Sequence, residues 1–299
     1  MFPFAPIFGL SGILLLMLLA WMRFVEPWAY RIVHRQARVR KPLARPIRIL
    51  HLSDIHFSSP SPKLSLFFEE LAAIPLDAVF ITGDIIDSMK GIAYCKETLS
   101  RLKPAIGIFA VYGNHDYYDY HFTELLLHNF PGQRMPRNHQ HVHVLDAALK
   151  EIGVHVLKNQ SAEIFWHGTS LLVHGLDDPT SRRANLRKTM QRFDPAKANV
   201  LLTHTIDAFL EIGRNEIDLS FSGHSHGGQI CLPFWGPILT HTIMGRAFAG
   251  GFFQHKGAWC SVSRGIGTSR FLPMRLMCRP EAIVVTVSGE KVPGTDQSV

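Results

Sequence analysis

An α/β enzyme fold preceded by one N-terminal transmembrane helix is the class this sequence predicts, on two observations. Short apolar, β-rich runs alternate with helical stretches, and each run ends where a cluster of His, Asp, Asn or Gly begins. Ahead of them, Met1 to Met22 contains no charged side chain. A chain of 299 residues that is 46% hydrophobic can bury a full core, which excludes a disordered chain or a stapled mini-protein. A charged fraction of 18% is low for a wholly soluble protein and suggests that part of the chain meets lipid.

The first element is the stretch around Ile13 to Ala20, ILLLMLLA. At about 1.5 Å per residue, the uncharged segment is long enough to cross a hydrocarbon core of about 30 Å. No Lys or Arg precedes it and no small-x-small site follows, so residues 1–25 read as a retained anchor rather than a cleaved signal peptide. Residues 26–46 read as a basic juxtamembrane arm that Pro42 and Pro46 keep from forming one long helix. Between Arg23 and Arg48 lie eight basic residues against one acid, Glu26, a net of +7 that equals the net charge of the whole chain. The remainder balances at 23 basic to 23 acidic, so the high isoelectric point describes the arm and makes a nucleic-acid partner unlikely on charge. Basic residues flanking a span favour the cytoplasmic side. The expectation is therefore a single-pass protein of the inner (cytoplasmic) membrane with its catalytic domain in the cytoplasm and the lipid bilayer as a partner.

Residues 47–289 read as the catalytic domain and 290–299 as a frayed tail. The strand-like runs are Ile47 to Ser53, Ala78 to Thr82, Ile106 to Val111, Val200 to Thr203 and Leu219 to Ser222. Four later runs, Ser161 to Trp166, Ser170 to His174, Ala258 to Ser263 and Ala282 to Ser288, lack long helices between them and read as antiparallel additions. Cys95, Cys231, Cys260 and Cys278 are widely spaced, which fits reduced core thiols and gives no zinc-finger pattern.

Five clusters carry the chemistry: Asp54-Ile55-His56, Gly83-Asp84-Ile85-Ile86-Asp87, Gly113-Asn114-His115-Asp116, His204, and Gly223-His224-Ser225-His226. Residues i and i+2 of an extended segment point to one side, so Asp54 with His56, and His224 with His226, could each present two ligands to one point. The donors are too many for one tetrahedral zinc and suit two divalent metals sharing a carboxylate. The oxygen and nitrogen set, without thiolate, suits Mn, Fe, Zn or Co.

These blocks, D-x-H, G-D-x-x-D, G-N-H-D, H and G-H-x-H in this order, resemble the calcineurin-like metallophosphoesterase superfamily over roughly residues 47–288. The GHSHGGQI, LPFWGP and SVSRGIGTS runs are similar to a membrane-associated bacterial phosphodiesterase branch related to UDP-diacylglucosamine pyrophosphatases. The resemblance implies a metallophosphoesterase αββα sandwich. It implies one metal on Asp54, His56 and His226, another on Asn114, His204 and His224, and Asp84 bridging them. It further implies His115 as general acid and Asp87 as the acid that orients it, with Asp116 supporting the loop. Asp87 is followed by Ser88 and Met89 and not by the Arg that clamps phosphomonoesters in the protein-phosphatase branch, which disfavours a phosphoprotein monoesterase. Arg264 could supply substrate contacts instead.

Two apolar segments remain. Residues 117–144 include Phe122, Leu125, Leu126, Leu127 and Phe130 at helical spacing and could form a lid, and His139, His141 and His143 alternate within it. Residues 231–253, with Phe234, Trp235, Ile238, Leu239 and Ile243, are loop-like and could admit acyl chains near a bilayer. The function expected is a membrane-anchored, dimetal-dependent phosphoesterase cleaving a small or lipid-linked phosphodiester or pyrophosphate, such as UDP-diacylglucosamine in lipid A synthesis. The alternatives are a nucleotide or nucleic-acid phosphodiesterase on the same scaffold and a non-catalytic interaction module.

Overall fold

The computed structural model describes residues 5–120, 139–214, 216–268 and 272–290. Helix α1 (Ala5–Ala20) runs on through a π-helical turn, Trp21–Val25, and a 3-10 turn, Glu26–Trp28. Its side chains from Ile13 to Leu19 are exposed, so it has no face packed on the domain and is the one described helix long and apolar enough to cross a membrane. Its end is nonetheless fastened. Met22 O accepts from Arg275 N at 2.9 Å, and the buried Glu26 accepts from Trp21 Nε1 at 2.9 Å and from Cys278 N at 2.6 Å.

The domain is two six-stranded sheets face to face. The first contains β1 (Arg31–Pro42), β2 (Ile47–Leu52), β3 (Ala78–Thr82), β4 (Gly107–Val111), β5 (Val154–Val156) and β14 (Glu281–Glu290), in the order β1-β14-β2-β3-β4-β5. The second contains β6 (Gln160–Trp166), β7 (Thr169–Gly175), β8 (Ala198–Leu202), β9 (Leu219–Ser222), β12 (Gly251–His255) and β13 (Ala258–Val262), in the order β12-β13-β9-β8-β7-β6. A small hairpin, β10 (Cys231–Leu232) and β11 (Gly236–Pro237), stands apart.

Alternation along the strands explains the layers. Ile47, Ile49, Phe80 and Val111 from one sheet meet Val173, Val200, Leu202 and Phe221 from the other in the central core. The opposite side of the first sheet, with Leu50, Leu52, Val79 and Ile81, is covered by α2 (Pro62–Ala72), α3 (Ile92–Leu99) and α5 (Val142–Glu151) through Phe67, Phe68, Leu99 and Leu145. Ser61 caps α2 by accepting from Leu64 N, and Pro62 stands in its first turn, where a missing N–H costs nothing. The outer side of the second sheet is closed by the 3-10 turn Ile206–Leu210, not by a long helix.

Two expectations are corrected. Residues 31–42, read as part of a basic arm outside the domain, are strand β1, paired parallel with β14 from Arg31↔Glu281 onward. Ala37 and Val39 point into the core while Arg38 and Arg40 point out on the other face and Arg35 is exposed. Charge on the open face of an edge strand blocks further pairing, and that is why the segment reads as polar in sequence. The later runs are strands, but not uniformly antiparallel: β13 lies parallel to β9, β7 parallel to β8, and β14 is antiparallel to β2 yet parallel to β1.

His51, on β2, is fully buried and ties the layers together, its Nδ1 at 3.0 Å from Ser261 Oγ on β13 and its Nε2 at 2.9 Å from Thr82 Oγ1 on β3. Burial pushes its imidazole down to about 3.

Removing residues 1–20 is expected to leave a folded domain, whereas removing 1–46 also strips β1, Glu26 and Arg31 and is expected to give aggregated protein. Thermal melting of the two truncations checks this. Because the folded pKa of His51 lies below the unfolded value, the unfolded state binds its proton first, and stability falls as pH drops from about 6.5 toward 3, by about 1.4 kcal/mol per pH unit at most. His51→Gln has no such proton, so denaturant titrations should show the stability gap between wild type and variant narrowing between about pH 6.5 and 4.5.

Candidate metal centre

Five parallel strands, three from the first sheet and two from the second, end at the same edge of the sandwich, and each is followed at once by one of the clusters. Asp54 and His56 follow β2, and Asp84 follows β3. Asn114 and His115 open the short helix α4 (Asn114–Tyr117) after β4, His204 follows β8, and His224 and His226 follow β9. All of these are buried except the partly buried His224. Burial of so many ionisable groups in one place is costly unless something compensates their charges.

The side chains converge in two groups that share Asp84, and a third, His56, Asp87 and His115, overlaps the first at His56. Asp54, His56, Asp84 and His226 offer ligand atoms within 4.8 Å of one another, and so do Asp84, His204 and His224. Asp84 Oδ2 stands between the groups, 3.7 Å from His56 Nε2 and 3.4 Å from His204 Nε2. His56 Nε2 faces His226 Nε2 at 3.3 Å, His226 Nε2 lies 3.5 Å from Asp54 Oδ1, and His224 Nδ1 faces His204 Nε2 at 3.1 Å. His224 and His226 therefore turn to different groups. Five of these residues have positive φ, from 48° to 68°, so they leave the extended conformation on which i, i+2 alternation depends.

The surroundings leave the ligand atoms available. His204 Nδ1 is 2.8 Å from Thr82 O, an acceptor that orients the ring with Nε2 inward. Asn114 Nδ2 donates to Tyr120 Oη at 2.9 Å, while its buried Oδ1 has no hydrogen-bond partner, an orphan that a cation would satisfy. Ser53 Oγ donates to Asp54 Oδ2 at 2.6 Å, and His115 N donates to Asp84 Oδ1 at 2.8 Å. The donor set, carboxylate, imidazole and amide oxygen, fits divalent metal ions.

Electrostatics follow the same crowding. Burial alone would raise Asp84, but the imidazoles of His204, His115 and His56 hold it well below the usual carboxylate range. Burial pushes Asp54 up, opposed by His204. Burial also pushes His115 down to about 4, with Asp84 pulling the other way, so this imidazole is neutral at pH 7.

Asp87 Oδ1 lies 3.5 Å from His56 Nδ1 and 3.7 Å from His115 Nδ1, so its carboxylate faces both imidazoles and not His115 alone. Asp116, expected to support the loop, does so: it accepts from Ile85 N, Ile86 N and Gly113 N at 2.9, 3.1 and 2.9 Å. Gly113 has to be glycine, since a Cβ there would sit 2.3 Å from Asp84 Oδ1. Arg264 is not brought among the clustered donors; its backbone N donates to Glu281 Oε1 and its side chain lines a cavity beside the end of α1.

Sequence reasoning missed three supports. Arg275, fully buried, donates to the carbonyls of Arg264, Cys278, Gly265 and Gly267 and lies 3.4 Å from His226 Nδ1. Gln140 Nε2 bridges the carbonyls of His115, at 2.7 Å, and Asp87, at 3.5 Å. Tyr120 holds Asn114. None has a local signature, because each acts on backbone or side chains brought near only by folding. Of the apolar segment 117–144, residues 121–138, with Phe122 to Phe130, lie outside the described residues. His141 and His143 stand at the start of α5 with their rings 5.7 Å apart, and neither belongs to the ligand groups.

The family model for calcineurin-like phosphoesterase matches residues 47–228, more than half of the chain and all five clusters. The chain belongs to that family. It is a metal-dependent phosphoester hydrolase. Among curated proteins it is similar to the metallophosphoesterase YkuE of Bacillus subtilis, 28% identical over 80% of this chain and 78% of that one. It is also similar to the phosphodiesterase YaeI of Escherichia coli, 26% identical over 89% of this chain and 91% of that one. A third relative is the UDP-2,3-diacylglucosamine pyrophosphatase LpxG of Chlamydia trachomatis, 26% identical over 75% of this chain and 76% of that one.

Asp84→Asn in this phosphoesterase is expected to lower metal content in both groups at once and abolish turnover, because an uncharged amide oxygen between two cations lacks the negative charge that lets Asp84 Oδ2 serve both. Metal analysis of purified protein checks this; loss of half the metal would mean that Asp84 serves one group only.

Proposed function

We propose that this chain is a membrane-anchored phosphodiesterase or pyrophosphatase working with two divalent cations, and that its substrate is lipid-linked. The observation that carries the dinuclear reading is Asp84, whose Oδ2 lies within 3.7 Å of imidazoles from both ligand groups. Asp54, His56 and His226 would hold one cation and Asn114, His204 and His224 the other, with Asp84 common to both. When bound, such cations neutralise phosphoryl oxygens and make a water nucleophilic near neutral pH; Mn, Fe, Zn and Co all suit the donor set.

The chain's own residues then account for orientation and proton supply. Thr82 O and the Asp87 carboxylate, on the far nitrogens of His204 and His56, hold these rings with Nε2 inward. His115, next to Asn114 and facing Asp87, is the group placed to protonate the leaving oxygen. An anionic phosphoryl group beside it opposes the burial that keeps the free imidazole neutral, so protonation is coupled to substrate binding.

Two observations support a lipid-linked substrate. A cavity of about 200 Å³ extends from His56 along Phe57, Ser58 and Ser59 to Trp28, Tyr30 and Arg23 at the base of the apolar helix. On the His224 side, the exposed side chains of Leu239 and Ile243 belong to the segment expected to meet acyl chains. With α1 in the bilayer and the basic residues on the cytoplasmic leaflet, the centre would lie close to headgroups. Similarity to LpxG makes a UDP-diacylglucosamine-like molecule the specific candidate. Purified, metal-reconstituted protein tested on a lipid-linked pyrophosphate, a bis-aryl phosphodiester and a phosphomonoester should hydrolyse the first best and the last least; preference for the monoester would overturn the reading.

His115→Ala should leave metal content nearly intact and slow turnover by about 10² to 10⁴ for alkyl leaving groups, and by much less for aryl ones that depart without a proton. Steady-state rates on a matched alkyl and aryl pair check it, and an equal loss on both would remove His115 as the acid.

A further inference from the structure

Where the apolar helix meets the domain there is an open cavity of about 820 Å³. One wall is Leu18 and Trp21 from the helix end, and the other is Leu276 and Met277. Arg31, Arg264 and Arg279 complete the lining, with Glu26.

The charges there do not cancel. Arg31 is matched by Glu281 Oε2 at 2.6 Å. Glu26 is 4% exposed and spends its oxygens on Cys278 N and Trp21 Nε1. Arg279 donates Nε and Nη2 to the carbonyls of Ala29 and Tyr30 at 2.8 and 3.3 Å, which are neutral partners. The Arg264 guanidinium has no carboxylate at ion-pair distance among the described residues. Arg264 and Arg279 thus stand over apolar walls with only the Glu26 carboxylate, itself bonded to neutral donors, to offset them, and one positive charge is left over. Such a setting suits a ligand with an anionic head and an apolar tail.

The backbone supplies an independent sign. Met277 is 55% exposed and has φ 51°, a left-handed conformation that an unbranched non-glycine side chain rarely adopts. Its neighbours impose it: Cys278 N is bound by Glu26, and Arg275 N by Met22 O. An apolar side chain is thereby held out at the mouth of the cavity at a cost in backbone strain, a combination found where surrounding contacts serve a site.

We infer that this cavity binds an anionic glycerophospholipid, with its phosphate against Arg264 and Arg279 and an acyl chain along Leu18, Trp21 and Met277. The inference rests on the reading of α1 as a membrane helix. The site is distinct from the metal centre but touches it mechanically. The Arg264 stem packs on Gly227, where a Cβ would come within 2.7 Å of Arg264 Cγ, and Gly227 follows the ligand His226. A lipid on the guanidinium would steady the loop that carries this histidine.

The test uses the full chain in vesicles of phosphatidylcholine alone or mixed with phosphatidylglycerol, followed by native mass spectrometry of the lipids retained. Wild type should retain phosphatidylglycerol over phosphatidylcholine, Arg264→Gln should lower that preference about fivefold, and the Arg264→Gln, Arg279→Gln pair about twentyfold. Arg264→Gln breaks no ion pair to a carboxylate among the described residues, so it reports on the site even if the double variant fails to fold. Equal retention of both lipids by wild type, or an unchanged preference in the variants, overturns the lipid site while leaving the anchor standing. Failure of the chain to co-sediment with either vesicle overturns the anchor reading, and the lipid site with it.

Discussion

Everything at the metal centre depends on one carboxylate serving two sets of imidazoles. Asp84 Oδ2 stands between His56 and His204, while its Oδ1 is held by the backbone N–H of His115. His56 follows a strand of the first sheet and His204 a strand of the second, so the two sheets must end at a common edge for the carboxylate to reach both. The central core that fixes the sheets against one another is thus also what fixes the ligand geometry. Close approach around Asp84 then dictates the glycine at 113, because a single methyl group would occupy the space the carboxylate oxygen fills.

That convergence has an energetic cost paid in backbone conformation. Asp54, His56, Asp84, His224 and His226 all lie in the left-handed region, each at about 1 kcal/mol or more. Several such residues are a sizeable fraction of the roughly 5–15 kcal/mol by which a domain is stable. The loops offset the strain by bonding to one another. Asp54 N and His56 N donate to Gly83 O and Asp84 O at 3.0 Å, Gly223 N donates to His204 O at 2.9 Å, and Gly267 N donates to Asp54 O at 2.7 Å. A ligand loop cannot relax alone, since its carbonyls and N–H groups complete those of its neighbours.

The strand-end clusters were legible because each ligand follows its strand within a few residues, so sequence order already placed them at one edge. Spacing was a poorer guide within a cluster: Asp54 and His56 do share a group, but His224 and His226, at the same spacing, turn to different ones. Composition marked α1, since an all-round apolar helix needs no partner to be recognised, but misjudged β1, whose arginines face outward from a strand that still buries Ala37 and Val39. Arg275, Gln140, Tyr120 and His51 were not legible at all. Each is one polar residue among many in sequence and gains its role from carbonyls, amides or hydroxyls that lie far along the chain.

The correction at β1 changes how an anchor would act on the catalytic domain. A flexible arm raises only the local concentration of an enzyme at a surface, and leaves its active site free to face any direction. Here the helix end is bound through Met22, Glu26 and Arg31 to the segment from Arg275 to Glu281, and β1 and β14 continue from those contacts into the sheet. Arg275 in turn holds the loop carbonyls at Arg264, Gly265 and Gly267 and approaches His226. If α1 lies in a bilayer and His226 holds a metal, the two are separated by one fully buried arginine, so orientation relative to the bilayer, and not proximity alone, is what such an anchor would impose on the site.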